Sequence, residues 1–236
     1  MSNNYFSFKK FSINQDSCPM KVGTDGVLLG AWAKGGKRIL DIGTGTGIIA
    51  LMMAQRFPYS LVDAVEIDAN VFKHASSNVS LSPYSERINV FNISIQKYMS
   101  LSHPYKYDSI VSNPPFFVDC LKNPDHHLSI GRHTEALSYE DLFRSVKRLL
   151  ASDGFFSAII PSDFVKRFLS VAYIEGFSLI YQCMVKTVER KAPKRCLLSF
   201  STQYGECFKE EKTLLQNDGS PSQWYRELAG DFYLHW

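Results

Sequence analysis

A chain of 236 residues with 45% apolar composition has enough material for one well-buried core and is too apolar to be disordered throughout. Its 26 Lys and Arg against 23 Asp and Glu leave a net charge of +3, too slight to argue by itself for a polyanionic partner. Five scattered cysteines (Cys18, Cys120, Cys183, Cys196 and Cys207) form no C-x-x-C pair, and the longest apolar stretch, Ile48 to Ala54, is far too short to span a bilayer, so disulfide frameworks, zinc ribbons and membrane spans are excluded and a cytoplasmic chain with reduced thiols is expected.

Along the chain, short β-type apolar runs alternate with helix-length segments, the order of a parallel sheet with crossover helices and hence an α/β fold. The first run, Arg38 to Ile42, leads through glycines into a helix from Gly47 to about Arg56. The second, Leu61 to Val65, ends at Glu66 and precedes a helix from Asp68 to Val79, in which Val71, Ala75 and Val79 recur at helical spacing. A third strand is predicted at Ile88 to Asn92 and a fourth at Tyr107 to Ser112, where Asn113-Pro114-Pro115 forces a stop. Residues 118–137 read as a long loop, and Ser138 caps a helix through Leu150. A strand from Phe155 to Ile160, a helix from Ser162 to Glu175 and strands near Phe177 to Thr187 and Arg195 to Tyr204 complete the series. With no repeat and no linker, residues 1–236 are expected to form a single domain, residues 1–35 being an N-terminal extension.

Asp41-Ile42-Gly43-Thr44-Gly45-Thr46-Gly47 falls where the first strand meets the first crossover helix, and glycines there permit tight turning and close backbone approach by a ligand. Glu66, about 20 residues further on at the end of the next strand, is placed to accept from both hydroxyls of an adenosine ribose. A dinucleotide needs G-x-G-x-x-G to bring its pyrophosphate onto the helix N-terminus. Here the spacing is G-x-G-x-G, and the Asp41 carboxylate before it would repel pyrophosphate while suiting a cofactor with an ammonium and a sulfonium. S-adenosylmethionine is therefore favoured over a nicotinamide cofactor.

Asn113-Pro114-Pro115-Phe116 closes the fourth strand, at the sheet edge where α/β folds bind ligands. The Asn113 amide oxygen and the Pro114 carbonyl can each accept from an exocyclic NH2, turning the nitrogen lone pair toward a methyl donor. The prolines stiffen the backbone, and Phe116 offers a face on which a base stacks, worth roughly 1–3 kcal/mol. No strong base is required, because the nitrogen sheds its proton readily once it is methylated and positively charged.

The glycine motif together with Asn-Pro-Pro-Phe resembles the class I methyltransferases that modify exocyclic or amide nitrogens. Met20 to Trp32, with Gly205 to Phe208 and Phe232 to Leu234, extends the resemblance to the bacterial tRNA1(Val) adenine-N6 methyltransferase family over essentially the whole chain. The resemblance implies a Rossmann-like, mostly parallel seven-stranded sheet with helices on both faces and an antiparallel final strand. It implies methylation of the adenine 3′ of the anticodon in a valine tRNA, with no obligate protein partner. Asp41, Gly43, Gly45, Gly47 and Glu66 would hold the cofactor, Thr24 and Asp25 would line its pocket from the N-terminal extension, and Asn113 to Phe116 would hold the base. One departure is Ser94, which stands where relatives carry an aspartate that accepts from the cofactor's adenine amine. Enzymes acting on rRNA guanine N2 or on a protein glutamine amide share the tetrapeptide but usually carry a further domain. A nicotinamide-dependent oxidoreductase and a non-catalytic RNA-binding module are the rivals from other classes.

Arg190, Lys191, Lys194 and Arg195, with Lys186, form a basic run near the last strand turn that could track phosphates. Arg132, in the long loop beside His133, could guide RNA. His126, His127, His133 and Cys120 lack ligand spacing on a helix and read as a polar loop rather than a metal site. Tyr5, Phe6, Phe8 and Phe11 could stack bases, though aromatics at this density more often pack onto a core or a short hairpin.

Overall fold

The computed structural model describes residues 4–16, 21–102, 105–115 and 137–235. The chain opens with an antiparallel hairpin of β1 (Tyr5–Ser7) and β2 (Ser12–Asn14), then α1 (Thr24–Trp32). The alternating series follows: β3 (Arg38–Ile42), α2 (Ile48–Arg56), β4 (Leu61–Glu66), α3 (Ala69–Ser80), β5 (Ile88–Asn92), α4 (Ile95–Ser100) and β6 (Tyr107–Ser112). After residues 116–136 come α5 (Tyr139–Leu149), β7 (Leu150–Pro161), α6 (Val165–Ile174), β8 (Ser178–Val188), β9 (Arg195–Ser201), β10 (Phe208–Leu215) and α7 (Gln223–Ala229).

The main sheet is 8-stranded in the order β10-β8-β9-β7-β6-β3-β4-β5, with β9 antiparallel to both its neighbours and the remaining pairs parallel. Seven of these strands are the ones the sequence predicts, the last of them antiparallel as expected. The eighth, β10, was not anticipated: FKEEKTLL carries charges along an edge strand, where they discourage pairing with another chain and mask the period-2 signal.

Apolar residues alternate across the sheet, so that helices cover both faces. Ile39 and Val111 face a core completed by α1, α2, α7 and the aromatic hairpin, with Phe8, Phe11 and Ile13 buried beside Phe232. Leu40 and Ile110 face the opposite core, filled by α4, α5 and α6 and dominated by Phe143, Phe156, Phe168 and Phe200. Phe6, Phe8 and Phe11 therefore pack onto the core as the sequence reading expected, whereas Tyr5 is exposed.

Strand order reverses at β3, which has β4 on one side and β6 on the other. In register, Ile42 lies opposite Ser112, and the Ser112 hydroxyl donates to the Ile42 carbonyl at 2.9 Å. The next residues, Gly43 and Asn113, thus leave adjacent strands side by side, at the switch point where open α/β sheets bind ligands. Among the described residues no helix is long and apolar enough to cross a membrane.

Candidate active site

The turn from β3 to α2 depends on its glycines. Gly43, Gly45 and Gly47 have φ of 71°, 61° and 84°, a left-handed region costly to residues with a Cβ. A Cβ added at Gly43 would meet nothing within 4 Å, so this backbone faces open space. The loop is pinned from below, Gly43 and Thr44 donating backbone N–H bonds to the Val65 carbonyl at 2.9 and 3.1 Å.

Two carboxylates complete that support. Asp41 is fully buried, and its Oδ2 accepts from the Thr44 hydroxyl at 2.6 Å and from the Ala50 amide at 3.2 Å. Because Gly47 caps α2 without a side chain, Asp41 satisfies one of that helix's open N–H groups from the preceding strand. Burial pushes its carboxyl up to about 7, against the pull of those two hydrogen bonds and with a push from Glu66. Glu66 Oε2 accepts from the Gly45 amide and Oε1 from the Asp68 amide, both at 3.0 Å. Each Glu66 oxygen keeps a lone pair for a further donor.

Above the loop lies a cleft of about 280 Å³, walled by Gly43 to Thr46, by Gly23 to Gly26 at the start of α1, by Asn113 and by Arg195. Asn113 Oδ1 is buried without a hydrogen-bond partner among the described residues. A buried amide oxygen left unanswered costs on the order of 1–3 kcal/mol, so it marks a place for a donor. Asp25 and Arg195 form an ion pair across the cleft, Nε to Oδ1 at 2.7 Å, in close Coulombic contact without a well-aligned hydrogen bond. Burial raises the Asp25 carboxyl, and Arg195 partly offsets it.

The cleft brings together Thr24, Asp25, Gly43, Gly45 and Asn113 of the residues singled out in the sequence. Asp41, Gly47 and Glu66 are not among the residues that wall it; Asp41 and Glu66 hold the glycine loop through the hydrogen bonds above. Pro114 is buried and Pro115 exposed, while Phe116, Arg132, Cys120, His126, His127 and His133 lie outside the described residues. Ser94 caps α4, its hydroxyl accepting from the Lys97 amide at 3.3 Å. Arg190, Lys191 and Lys194 are exposed on the turn joining β8 to β9, and the Lys194 carbonyl accepts from the Ser162 amide at 3.1 Å, which seats that turn at the end of β7. Since β7 runs parallel to β6, the turn shares the sheet edge with Asn113. Arg195 is drawn off this turn into the cleft.

Sequence reasoning missed Asn78, whose side-chain amide donates to the Thr46 carbonyl at 2.9 Å and to the Asn14 carbonyl at 3.1 Å, tying the glycine loop to the hairpin. A lone Asn on a helix gives no such signal. It also missed Gly23 and Gly26, which the TDG sequence could have indicated as bare backbone beside a ligand.

A class I methyltransferase has this arrangement, and the methyltransferase small domain family matches residues 22–164. A predicted O-methyltransferase from Agrobacterium tumefaciens shares the fold with a TM-score of 0.69 at 16% identity, over 88% of this chain and 96% of that one. In sequence, a tRNA1(Val) (adenine(37)-N6)-methyltransferase of Bacteroides thetaiotaomicron is 44% identical over 238 residues, covering 100% of this chain and 99% of its own. One of the same name in Yersinia pseudotuberculosis is 39% identical over 98% of this chain and 92% of its own. The chain belongs to the tRNA1(Val) (adenine(37)-N6)-methyltransferase family.

Proposed function

We propose that this chain methylates the N6 amine of adenine 37, the base 3′ of the anticodon, in tRNA1(Val), using S-adenosylmethionine. The observation that carries the reading is the buried, unanswered Asn113 Oδ1 in the wall of a cleft built on bare glycine backbone. The open space at Gly43 and the free lone pairs of Glu66 fit an adenosine-bearing group whose ribose hydroxyls donate to that carboxylate. When bound, S-adenosylmethionine supplies an electrophilic methyl on a sulfonium. Gly43 and Gly45 let the backbone approach it, with Gly47 and Asp41 holding the loop and Thr24 and Asp25 facing it from α1. Ser94 keeps one lone pair for a donor, a neutral substitute for a carboxylate.

At the other side, Asn113 accepts one proton of the adenine amine and the Pro114 carbonyl the second, so the nitrogen lone pair faces the cleft. Pro115 stiffens this stretch and Phe116 stacks on the base. After transfer the cationic nitrogen loses a proton to water, so positioning rather than a general base does the catalysis. Arg190, Lys191 and Lys194 on the same sheet edge, with Arg132 from the loop beyond Asn113, meet the tRNA phosphates. On this reading the chain works as one domain in the cytoplasm, without an obligate protein partner.

Purified protein incubated with labelled S-adenosylmethionine and total tRNA, followed by nucleoside analysis, tests the reading. Label in N6-methyladenosine is expected. Label confined to methylguanosine, or to protein in an extract, overturns it.

A further inference from the structure

Arg195 opens β9 inside the cleft, and one edge of its guanidinium is already spoken for. Nε contacts Asp25 Oδ1 at 2.7 Å, while Nη1 and Nη2 hydrogen-bond to no described residue. A guanidinium held by Nε presents its other edge as a fork for a second carboxylate. The same cleft is lined by the start of α1, where the N-cap Gly23 gives no side-chain bond to the first turn. The open N–H groups of that turn, reinforced by the helix dipole, also favour an anion. Arg195 and the first turn of α1, whose own Asp25 is engaged by the guanidinium, therefore face one cavity that the glycine loop also walls.

We propose that Arg195, together with the uncapped first turn of α1, binds the α-carboxylate at the amino-acid end of the cofactor, and that Asp25 acts as a positioning residue that fixes the guanidinium. This rests on the cofactor reading above and assigns Arg195 to the cofactor rather than to RNA. The charges suit a zwitterion: the Asp25–Arg195 pair is neutral as a whole, and a ligand bearing both an ammonium and a carboxylate adds no net charge to the cavity. The position also has a structural logic. Because β9 is antiparallel, its first residue sits at the ligand-binding edge of the sheet, where parallel strands present their last.

The experiment is calorimetric titration of the full chain with S-adenosylhomocysteine and with its analogue lacking the α-carboxylate. Arg195→Gln should bind S-adenosylhomocysteine about 10- to 100-fold more weakly than the unsubstituted chain, the range expected for a charge-assisted pair. The decarboxylated analogue, a cation, should bind Arg195→Gln no more weakly than the unsubstituted chain. Arg195→Lys, which keeps the charge and loses the fork, should fall between for S-adenosylhomocysteine and leave the analogue unaffected, even if the Gln variant folds poorly. Equal weakening of both ligands would mean that the ion pair only latches α1 to the sheet, and unchanged affinity for S-adenosylhomocysteine would mean no contact; either overturns the proposal. So does a loss of cofactor-free tRNA affinity in Arg195→Gln with S-adenosylhomocysteine binding intact. If the unsubstituted chain binds neither ligand, the cofactor reading itself fails and this inference with it.

Discussion

Asn113 places a buried amide oxygen in the cleft wall with nothing among the described residues to answer it; on the proposed reading a substrate amine is the donor that resolves the cost. Replacing it with alanine removes one of the two acceptors that orient the nitrogen. Asn113→Ala should reduce methyl transfer by roughly 100-fold or more, a typical loss when a positioning bond to the reacting group is cut. Affinity for S-adenosylhomocysteine, measured by calorimetry, should stay within about twofold, since Asn113 is assigned to the base. Asp41 tests a different property. Burial holds its carboxyl at about 7 in the folded chain against an ordinary value of 3.8. Between those values the folded chain keeps a proton that the unfolded chain releases. Stability from this group is therefore complete below its unfolded pKa and lost as pH rises through its folded pKa. Asparagine can accept the same Thr44 and Ala50 bonds without ionising. Asp41→Asn should accordingly gain stability relative to the native chain, on the order of a few kcal/mol, between about pH 4 and pH 8, read by urea denaturation without ligand. A difference that does not vary with pH contradicts this account of the loop.

At the scale of elements, the site is a strand end, a glycine turn and a helix start, and the glycines in that turn have separable roles. Gly43 and Gly47 both have left-handed φ, so alanine at either should cost about 1–2 kcal/mol of stability in a denaturation series. Only at Gly43 does the new methyl enter open space, whereas at Gly47 it rests in ordinary contact with Ala75 at 3.6–3.8 Å. Gly43→Ala should therefore weaken S-adenosylhomocysteine binding beyond its stability cost, and Gly47→Ala should not. If the two variants lose ligand equally, Gly43 does not face the bound group. The β3–α2–β4–α3 unit was legible because period and turn chemistry agree there: Asp68, where the sequence reading begins its helix, caps α3, accepting from the Asn70 and Val71 amides at 2.8 and 3.0 Å. Ser138 caps α5 in the same way, accepting from the Asp141 amide at 3.0 Å. α1 was not read as a helix, because Gly26 to Ala31 are buried on all sides between α2 and the sheet, which leaves no amphipathic stripe. α4 and α7 are too short to show a period. The glycine wall and Asn113 were visible as motifs, but Arg195 was not separable from its basic neighbours. Only the antiparallel course of β9 sends it into the cleft while Arg190, Lys191 and Lys194 stay on the exposed turn.

Over the whole molecule, the sheet gathers its chemistry at one edge. The carboxyl ends of β3 and β6 hold the cleft, and the β8–β9 turn brings three exposed cations to the same side. A net charge of +3 is modest, so tRNA binding depends on where the cations stand rather than on their excess. Replacing Arg190, Lys191 and Lys194 together with alanine should weaken tRNA binding and flatten its dependence on salt by roughly two units of log–log slope, while leaving S-adenosylhomocysteine affinity unchanged. An unaltered slope in filter binding would remove this turn from the RNA footprint. On the proposed reading the cleft presents a methyl group to the N6 amine of adenine 37. The most direct measurement of this is mass spectrometry of nucleosides from tRNA1(Val) transcripts carrying either adenine or guanine at position 37, each incubated with the full chain and S-adenosylmethionine. N6-methyladenosine from the adenine transcript and no methylated nucleoside from the guanine transcript is the predicted result; methylation of both to the same extent, or of neither, contradicts it.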